Sequence, residues 1–171
     1  MHIAPEKAER HTLSVLVDNE AGILARVAGL FSARGYNIES LTVADVSQDE
    51  SLSRITIVTS GTEHVMEQII AQLDRLVPVH KVTDLTTYGP HVEREMVLAK
   101  VSGVGEQRTE VMRIADIFRA RVVDMTANSF IFELTGTASK IDTFLGLLSE
   151  AGLVEVARTG IVAISRGRHA A

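Results

Sequence analysis

The chain of 171 residues carries 17 basic and 22 acidic side chains, a net charge of −5 with histidine neutral, and no cysteine. Apolar residues make up 46% and charged residues 23%, a globular balance that excludes a disordered chain. The missing cysteine removes disulfide scaffolds, thiolate nucleophiles and cysteine-based zinc or iron–sulfur sites, and no run of lysine or arginine offers the basic stripe that nucleic acid requires.

No apolar run approaches the roughly 20 residues of a membrane span, and Met1 to Arg10 lacks the apolar stretch of a signal peptide. A soluble, cytoplasmic protein is expected. Aromatics are only 4% and tryptophan is absent, so the core must be built from Val, Ile, Leu and Ala. Residues 1–86 hold 7 basic and 12 acidic side chains, whereas residues 87–171 hold 10 of each. That asymmetry suggests two units.

Thr12 to Asp18 is rich in β-branched residues and reads as a strand. A polar turn, Asn19-Glu20-Ala21-Gly22, follows. Ile23, Leu24, Val27, Ala28, Leu30 and Phe31 then recur at helical spacing, and Gly35 supplies a left-handed stop. Asn37 to Val46 and Leu52 to Thr59 predict two strands around a polar loop, Ser47 to Ser51. Val65, Met66, Ile69, Ile70, Leu73 and Leu76 mark a second helix with Thr62 as its N-cap. Pro78 ends it, and Val79 to Thr86 predicts a fourth strand. The order is βαββαβ.

Tyr88-Gly89-Pro90 reads as a linker, after which the order repeats. Glu95 to Ser102 predicts a strand, and Thr109 to Phe118 a helix with Val111, Ile114, Ala115 and Phe118 inward. Arg121 to Thr126 and Phe130 to Thr135 form a hairpin, and Ile141, Phe144, Leu145 and Leu148 mark another helix. Val154 to Ile164 closes the chain with one strand or two. The predicted fold class is α+β, with two tandem ferredoxin-like sandwiches. Each leaves sheet edges and one face uncovered, which favours pairing with another copy.

No catalytic set is visible. The six histidines, at positions 2, 11, 64, 80, 91 and 169, are scattered without the i, i+4 pattern of a helical metal site, so no metal is expected. Gly103-Val104-Gly105 lacks the third glycine and the Lys-Ser/Thr of a phosphate loop and reads as a strand-to-helix connection. Asp45, Asp49 and Glu50 could pair as carboxylates, but they lie in or beside an exposed hairpin loop, and a solvated loop is the expected reading.

The most informative stretch is Asp18 to Leu24. A helix opening directly after Gly22 presents unsatisfied N–H groups and a positive dipole end to an anion such as a carboxylate, and a residue without a side chain lets a ligand approach. Asn19 and Asn37 carry amide oxygens that can accept from an ammonium group. Ile23, Leu24 and Ile38 suit an aliphatic side chain. Together these groups fit an aliphatic amino acid. Ordinary turn and cap chemistry, with Asn19 capping the helix and Gly22 permitting the turn, accounts for the same residues equally well.

The run HTLSVLVDNEAGILARVAGLFSARGYNIESL, His11 to Leu41, resembles the ACT domain of the acetohydroxyacid synthase (acetolactate synthase) small regulatory subunit family. The likeness continues through Ser53-Arg54-Ile55-Thr56-Ile57-Val58, His91-Val92-Glu93-Arg94-Glu95, Ile117-Phe118-Arg119 and the closing Gly160 to Gly167. It implies an ACT domain at 11–86, a linker at 87–93, a C-terminal ferredoxin-like domain at 94–167, and flexible tails at 1–10 and 168–171.

It also implies a noncatalytic subunit that activates a large catalytic subunit and confers feedback inhibition by valine in branched-chain amino-acid synthesis. Thiamin diphosphate, magnesium and FAD would belong to that partner, with no cofactor on this chain. Family ACT domains pair side by side and bind effector at the dimer interface. By motif, Asn19, Gly22, Ile23 and Leu24 would contact it from the turn, with Asn37 and Ile38 contributed across the interface.

Ser102 to Arg108 lacks Asn-x-x-Gly followed by apolar helix residues, so no second effector site is expected there. A free-standing tandem ACT sensor and a small acylphosphatase-like enzyme are the rival readings. The acids Asp18 and Glu20 beside the turn argue against a phosphate ester.

Overall fold

The computed structural model describes residues 7–168. The chain divides into two compact units, one comprising the residues up to Val92 together with those from Ile161 onward, the other Glu93–Gly160.

The first unit contains β1 (Glu9–Asp18), α1 (Ile23–Arg34), β2 (Ser40–Asp45), β3 (Leu52–Gly61), α2 (Glu63–Leu73), β4 (Val79–Asp84) and a one-turn helix, α3 (Leu85–Tyr88). Its sheet runs β2-β3-β1-β4. Every neighbouring pair is antiparallel, with Val15 opposite Ile55 and Thr42 opposite Thr56. Alternation along β1 and β3 sends Leu13, Val15, Val17, Ile55 and Ile57 to one face. There they meet Ile23, Val27 and Phe31 of α1 and Met66, Ile69 and Leu73 of α2. Each large side chain buried this way contributes about 1.5–3 kcal/mol.

The second unit contains most of β5 (His91–Ser102), then α4 (Glu106–Phe118), β6 (Arg121–Met125), β7 (Ser129–Gly136), α5 (Ala138–Glu150) and β8 (Leu153–Arg158). Its sheet repeats the order, β6-β7-β5-β8. Val97, Ala99, Val101, Phe130, Phe132 and Leu134 form the floor under Val111, Ile114 and Ala115 of α4 and Ile141, Phe144 and Leu148 of α5. Glu95, itself buried, accepts two hydrogen bonds from Arg158, at 2.8 and 2.6 Å. This fork raises the affinity of Arg158 for its proton and clamps β5 to β8.

Three features depart from the sequence reading. The stretch 87–93 is no open linker: it holds the end of α3 and the start of β5. Asn37 to Glu39 precede β2 because Asn37 C=O accepts from the Thr59 hydroxyl at 2.6 Å, which takes it out of the strand ladder. The closing stretch forms two strands, as the sequence allowed, but the second, β9 (Val162–Ser165), which pairs with β5, groups with the first unit rather than with the domain expected at 94–167.

Ile161 N–H donates to Ser40 Oγ at 2.8 Å and its C=O accepts from Thr42 Oγ1 at 3.0 Å. Ser40 and Thr42 lie opposite Val58 and Thr56 on the face turned away from the helices. That face, expected to be uncovered in both units, is therefore partly covered in the first, where Thr12, Ser14, Thr56 and Val58 are buried. Of the expected tails, Glu9 and Arg10 already belong to β1; residues 1–6 and 169–171 lie outside the described residues.

Candidate functional site

The Asp18–Leu24 turn is held from three sides. Asp18 N–H donates to Pro78 C=O at 2.8 Å, Asn19 N–H to Ser51 C=O at 2.8 Å, and Glu20 N–H to Asp18 C=O at 2.9 Å. Gly22 is the N-cap of α1 with φ 89° and ψ −4°, a left-handed conformation that costs a residue bearing Cβ roughly 1–2 kcal/mol. A Cβ built there would meet nothing within 4 Å, so glycine is set by backbone conformation rather than by space.

No side chain caps α1, and its first turn contains no acidic residue. Ile23 N–H reaches Glu20 C=O at 3.3 Å and Arg26 N–H reaches Gly22 C=O at 3.0 Å, while among the described residues the N–H groups of Leu24 and Ala25 have no backbone acceptor. Two donors at the positive end of a helix dipole favour an anion.

Asn19 is not the helix cap. Its Nδ2 donates to Glu50 C=O in the β2–β3 loop at 3.0 Å. Ile23 is buried in the core, whereas Leu24 is 43% exposed beside the free N–H groups. Both acids of the turn have partners: Glu20 pairs with Arg26 at 3.0 Å and Asp18 with His80 at 2.6 Å. The Arg26 guanidinium beside Glu20 weakens the electrostatic argument against a phosphate ester.

Asn37 and Ile38 lie elsewhere. Asn19 is bonded to Ser51, just before β3, and Asn37 to Thr59, near its far end. Eight residues of strand separate the two anchors, about 27 Å at the usual rise. Within one chain the structure thus brings Asn19, Gly22, Ile23 and Leu24 together and leaves Asn37 and Ile38 at the opposite end of the sheet. Asn37 is exposed and Ile38 half-buried against the core.

Sequence reasoning placed the Ser47–Ser51 loop but missed that it holds the Asn19 turn. Asp49 accepts from Ser51 N–H at 3.2 Å and from Ser51 Oγ–H at 2.7 Å, and Ser47 Oγ accepts from Leu52 N–H at 3.0 Å. The hydroxyls of Ser51 and Ser47 hold the Asp49 carboxyl down at about 2. Also missed was the buried pair in which His11 Nδ1 donates to Asp84 at 2.7 Å. Only Ser-Gln-Asp-Glu-Ser as a turn signal hinted at the first, and nothing local hinted at the second. Among the described residues no group of three or more His, Cys, Asp or Glu gathers around a metal position, and no helix is long and apolar enough to cross a membrane.

The fold of the first unit is a βαββαβ sandwich, and residues 13–81 match the model described as the AHAS small subunit-like ACT domain. Residues 94–167 match the model described as the small subunit of acetolactate synthase. Similar proteins include the acetolactate synthase isozyme 3 small subunit of Escherichia coli, 52% identical with 92% of this chain and 96% of that one covered. Another is the probable acetolactate synthase small subunit of Archaeoglobus fulgidus, 49% identical over 92% of this chain and 98% of that one. The crystal structure of the acetolactate synthase small subunit from Thermotoga maritima superimposes with a TM-score of 0.84 at 40% identity, covering 94% of this chain and 99% of that one. This chain belongs to the acetolactate synthase small subunit family.

Proposed function

We propose that this chain is the noncatalytic regulatory subunit of an acetolactate synthase. It raises the activity of the large catalytic subunit and carries feedback inhibition by a branched-chain amino acid, valine first. The observation that carries the effector reading is the N-terminus of α1: two N–H groups without acceptors, no acid in the first turn and no side-chain cap. The effector carboxylate sits on those groups, Gly22 gives it access, and Leu24 meets its alkyl end. Ile23 acts through the core, holding the turn in place. The catalytic work, with thiamin diphosphate, magnesium and FAD, stays on the large subunit, and this chain holds no cofactor of its own.

The remaining contacts come from a second copy. β2 is an edge strand, and two-fold pairing of β2 edges is antiparallel. In such a pair the Ser40 end of one strand faces the Asp45 end of the other. Asp45 lies opposite Ser53, at the level of the Asn19 turn. Asn37 and Ile38 of one copy then complete the site begun by Asn19, Gly22 and Leu24 of its mate.

Inhibition requires valine to prefer the arrangement that activates the catalytic subunit less, because equal affinity for both would shift nothing. A coupling of about 1–3 kcal/mol changes affinity roughly 5- to 150-fold. The test is to add the protein to the acetolactate synthase catalytic subunit of the same organism and follow acetolactate formation. A rise that valine reverses is expected. An unchanged rate in both conditions would overturn the subunit reading and leave a tandem amino-acid sensor for another target.

A further inference from the structure

The amide of Asn19 has its orientation decided by the loop it touches. A carbonyl oxygen only accepts, so the group 3.0 Å from Glu50 C=O must be Nδ2. The other end of the amide, Oδ1, is then the acceptor left over, and it cannot exchange places with Nδ2 while Glu50 holds its position. An acceptor so fixed welcomes an ammonium donor and offers nothing to a ligand that brings only another carbonyl.

Glu50 in turn is placed by the loop's own knot. Among the described residues it is one of two non-glycine residues with positive φ, at 56°, and its N–H donates to Ser47 C=O at 3.3 Å. On one side of it Asp49 ties down Ser51 through both the N–H and the hydroxyl. On the other, Ser47 Oγ accepts from Leu52 N–H, while Ser51 C=O accepts from Asn19 N–H. The carbonyls of residues 50 and 51 thus grip the side chain and backbone of Asn19 in adjacent bonds.

We propose that the Ser47–Ser51 loop is the selectivity element of the effector site: by orienting the Asn19 amide it makes the site discriminate an amino acid from its 2-oxo acid. Asp49 and Glu50 are positioning residues and touch no ligand. The proposal rests on the effector reading above.

The test titrates the full-length protein calorimetrically with two probes, L-valine and 3-methyl-2-oxobutanoate, which share the carboxylate and the isopropyl group and differ in the ammonium. Asp49→Ala combined with Ser51→Ala unties the knot. It is expected to weaken L-valine about tenfold while changing the oxo acid less than about twofold, because only the ammonium reads the Asn19 acceptor. Asp49→Asn keeps an acceptor for Ser51 and is expected to restore the preference. Equal losses for both probes, or no loss for either, would overturn the loop's role.

If the double variant does not fold, the Asn19 side-chain amide of the unmodified protein is followed by NMR during valine addition. Its hydrogen bond to Glu50 should persist, and its loss on binding would overturn the proposal. Gly22→Asp separates the two levels. If it abolishes valine binding while the loop variants bind both probes like the unmodified protein, the effector reading stands and the loop assignment falls. If the unmodified protein binds neither probe, both fall.

Discussion

The two strand-to-helix turns, one in each unit, occupy the same place in the same topology and meet the helix dipole in different ways. In the first, Gly22 leads into Ile23-Leu24-Ala25 with no acid in the opening turn. In the second, Gly105 leads into α4, whose opening turn carries Glu106. That carboxylate lies at the positive end of its own helix, an interaction worth about 0.3–1 kcal/mol. The second turn also spends Gly103 N–H on Asn128 C=O, while Arg108 lies over the Phe130 ring and donates to Thr126 and Ala127 carbonyls. One repeat thus supplies its own anion and fills its own turn; the other leaves both open. The lesson is that a shared fold places a helix end, but the first few side chains decide whether that end is for the protein or for a ligand.

Changes at these turns should break the contrast in graded ways. Gly22→Asp would bring a carboxylate to the proposed effector position and should weaken valine at least about a hundredfold, roughly 3 kcal/mol. Gly22→Ala bears the backbone strain without the charge and should keep most binding; calorimetry distinguishes them. Ala25→Glu would give α1 the acid that α4 has. It should stabilise the helix by about 0.5 kcal/mol, read as a raised Tm, yet weaken valine about tenfold by competing for the helix end.

A third test addresses who completes the first turn. Gly22→Asp and Asn37→Ala chains, each inactive alone, should on mixing and re-pairing recover about a quarter of the valine sites. Half the random pairs are mixed, and each mixed pair contains one intact site. No recovery would place Asn37 outside a shared site.

The smallest effect concerns Asp49. Its carboxyl should titrate near 2 by NMR, below the ordinary value near 3.9, and Ser51→Ala should move it upward. Because the folded value is the lower one, the loop's contribution is complete above about pH 4 and fades as the pH falls toward 2.

Much of this was readable before any coordinates. The apolar spacing of Ile23, Val27 and Phe31 and of Ile141, Phe144 and Leu148 marked helices whose inward faces hold in the structure, because a 3.6-residue period survives in the linear sequence. The strand starts were less legible. Asn37 is patterned like β2, but a hydroxyl from Thr59, 22 residues on, claims its carbonyl. Least legible were partners brought together by the tertiary fold: Ile161 with Ser40 and Thr42, His11 with Asp84, Glu95 with Arg158. Their separations, from 63 to 121 positions, leave no periodic trace. The separation of Asn19 from Asn37 was legible too, since the helical spacing from Ile23 to Phe31 carries the chain from one end of the sheet to the other; the loop that holds Asn19 in place was not, because Glu50 lies 31 positions on.

The Ile161 strap has a consequence for the order in which the molecule is made. A chain leaving the ribosome presents all seven elements from β1 to α3 long before residue 161 emerges. Until then the side of the first sheet bearing Thr12, Ser14, Thr56 and Val58 lacks its cover. Synthesis therefore does not deliver the two units as finished beads in sequence, as domain-by-domain folding usually does. A nascent chain halted after Gly160 would hold the first sheet without the Ile161 bonds to Ser40 and Thr42.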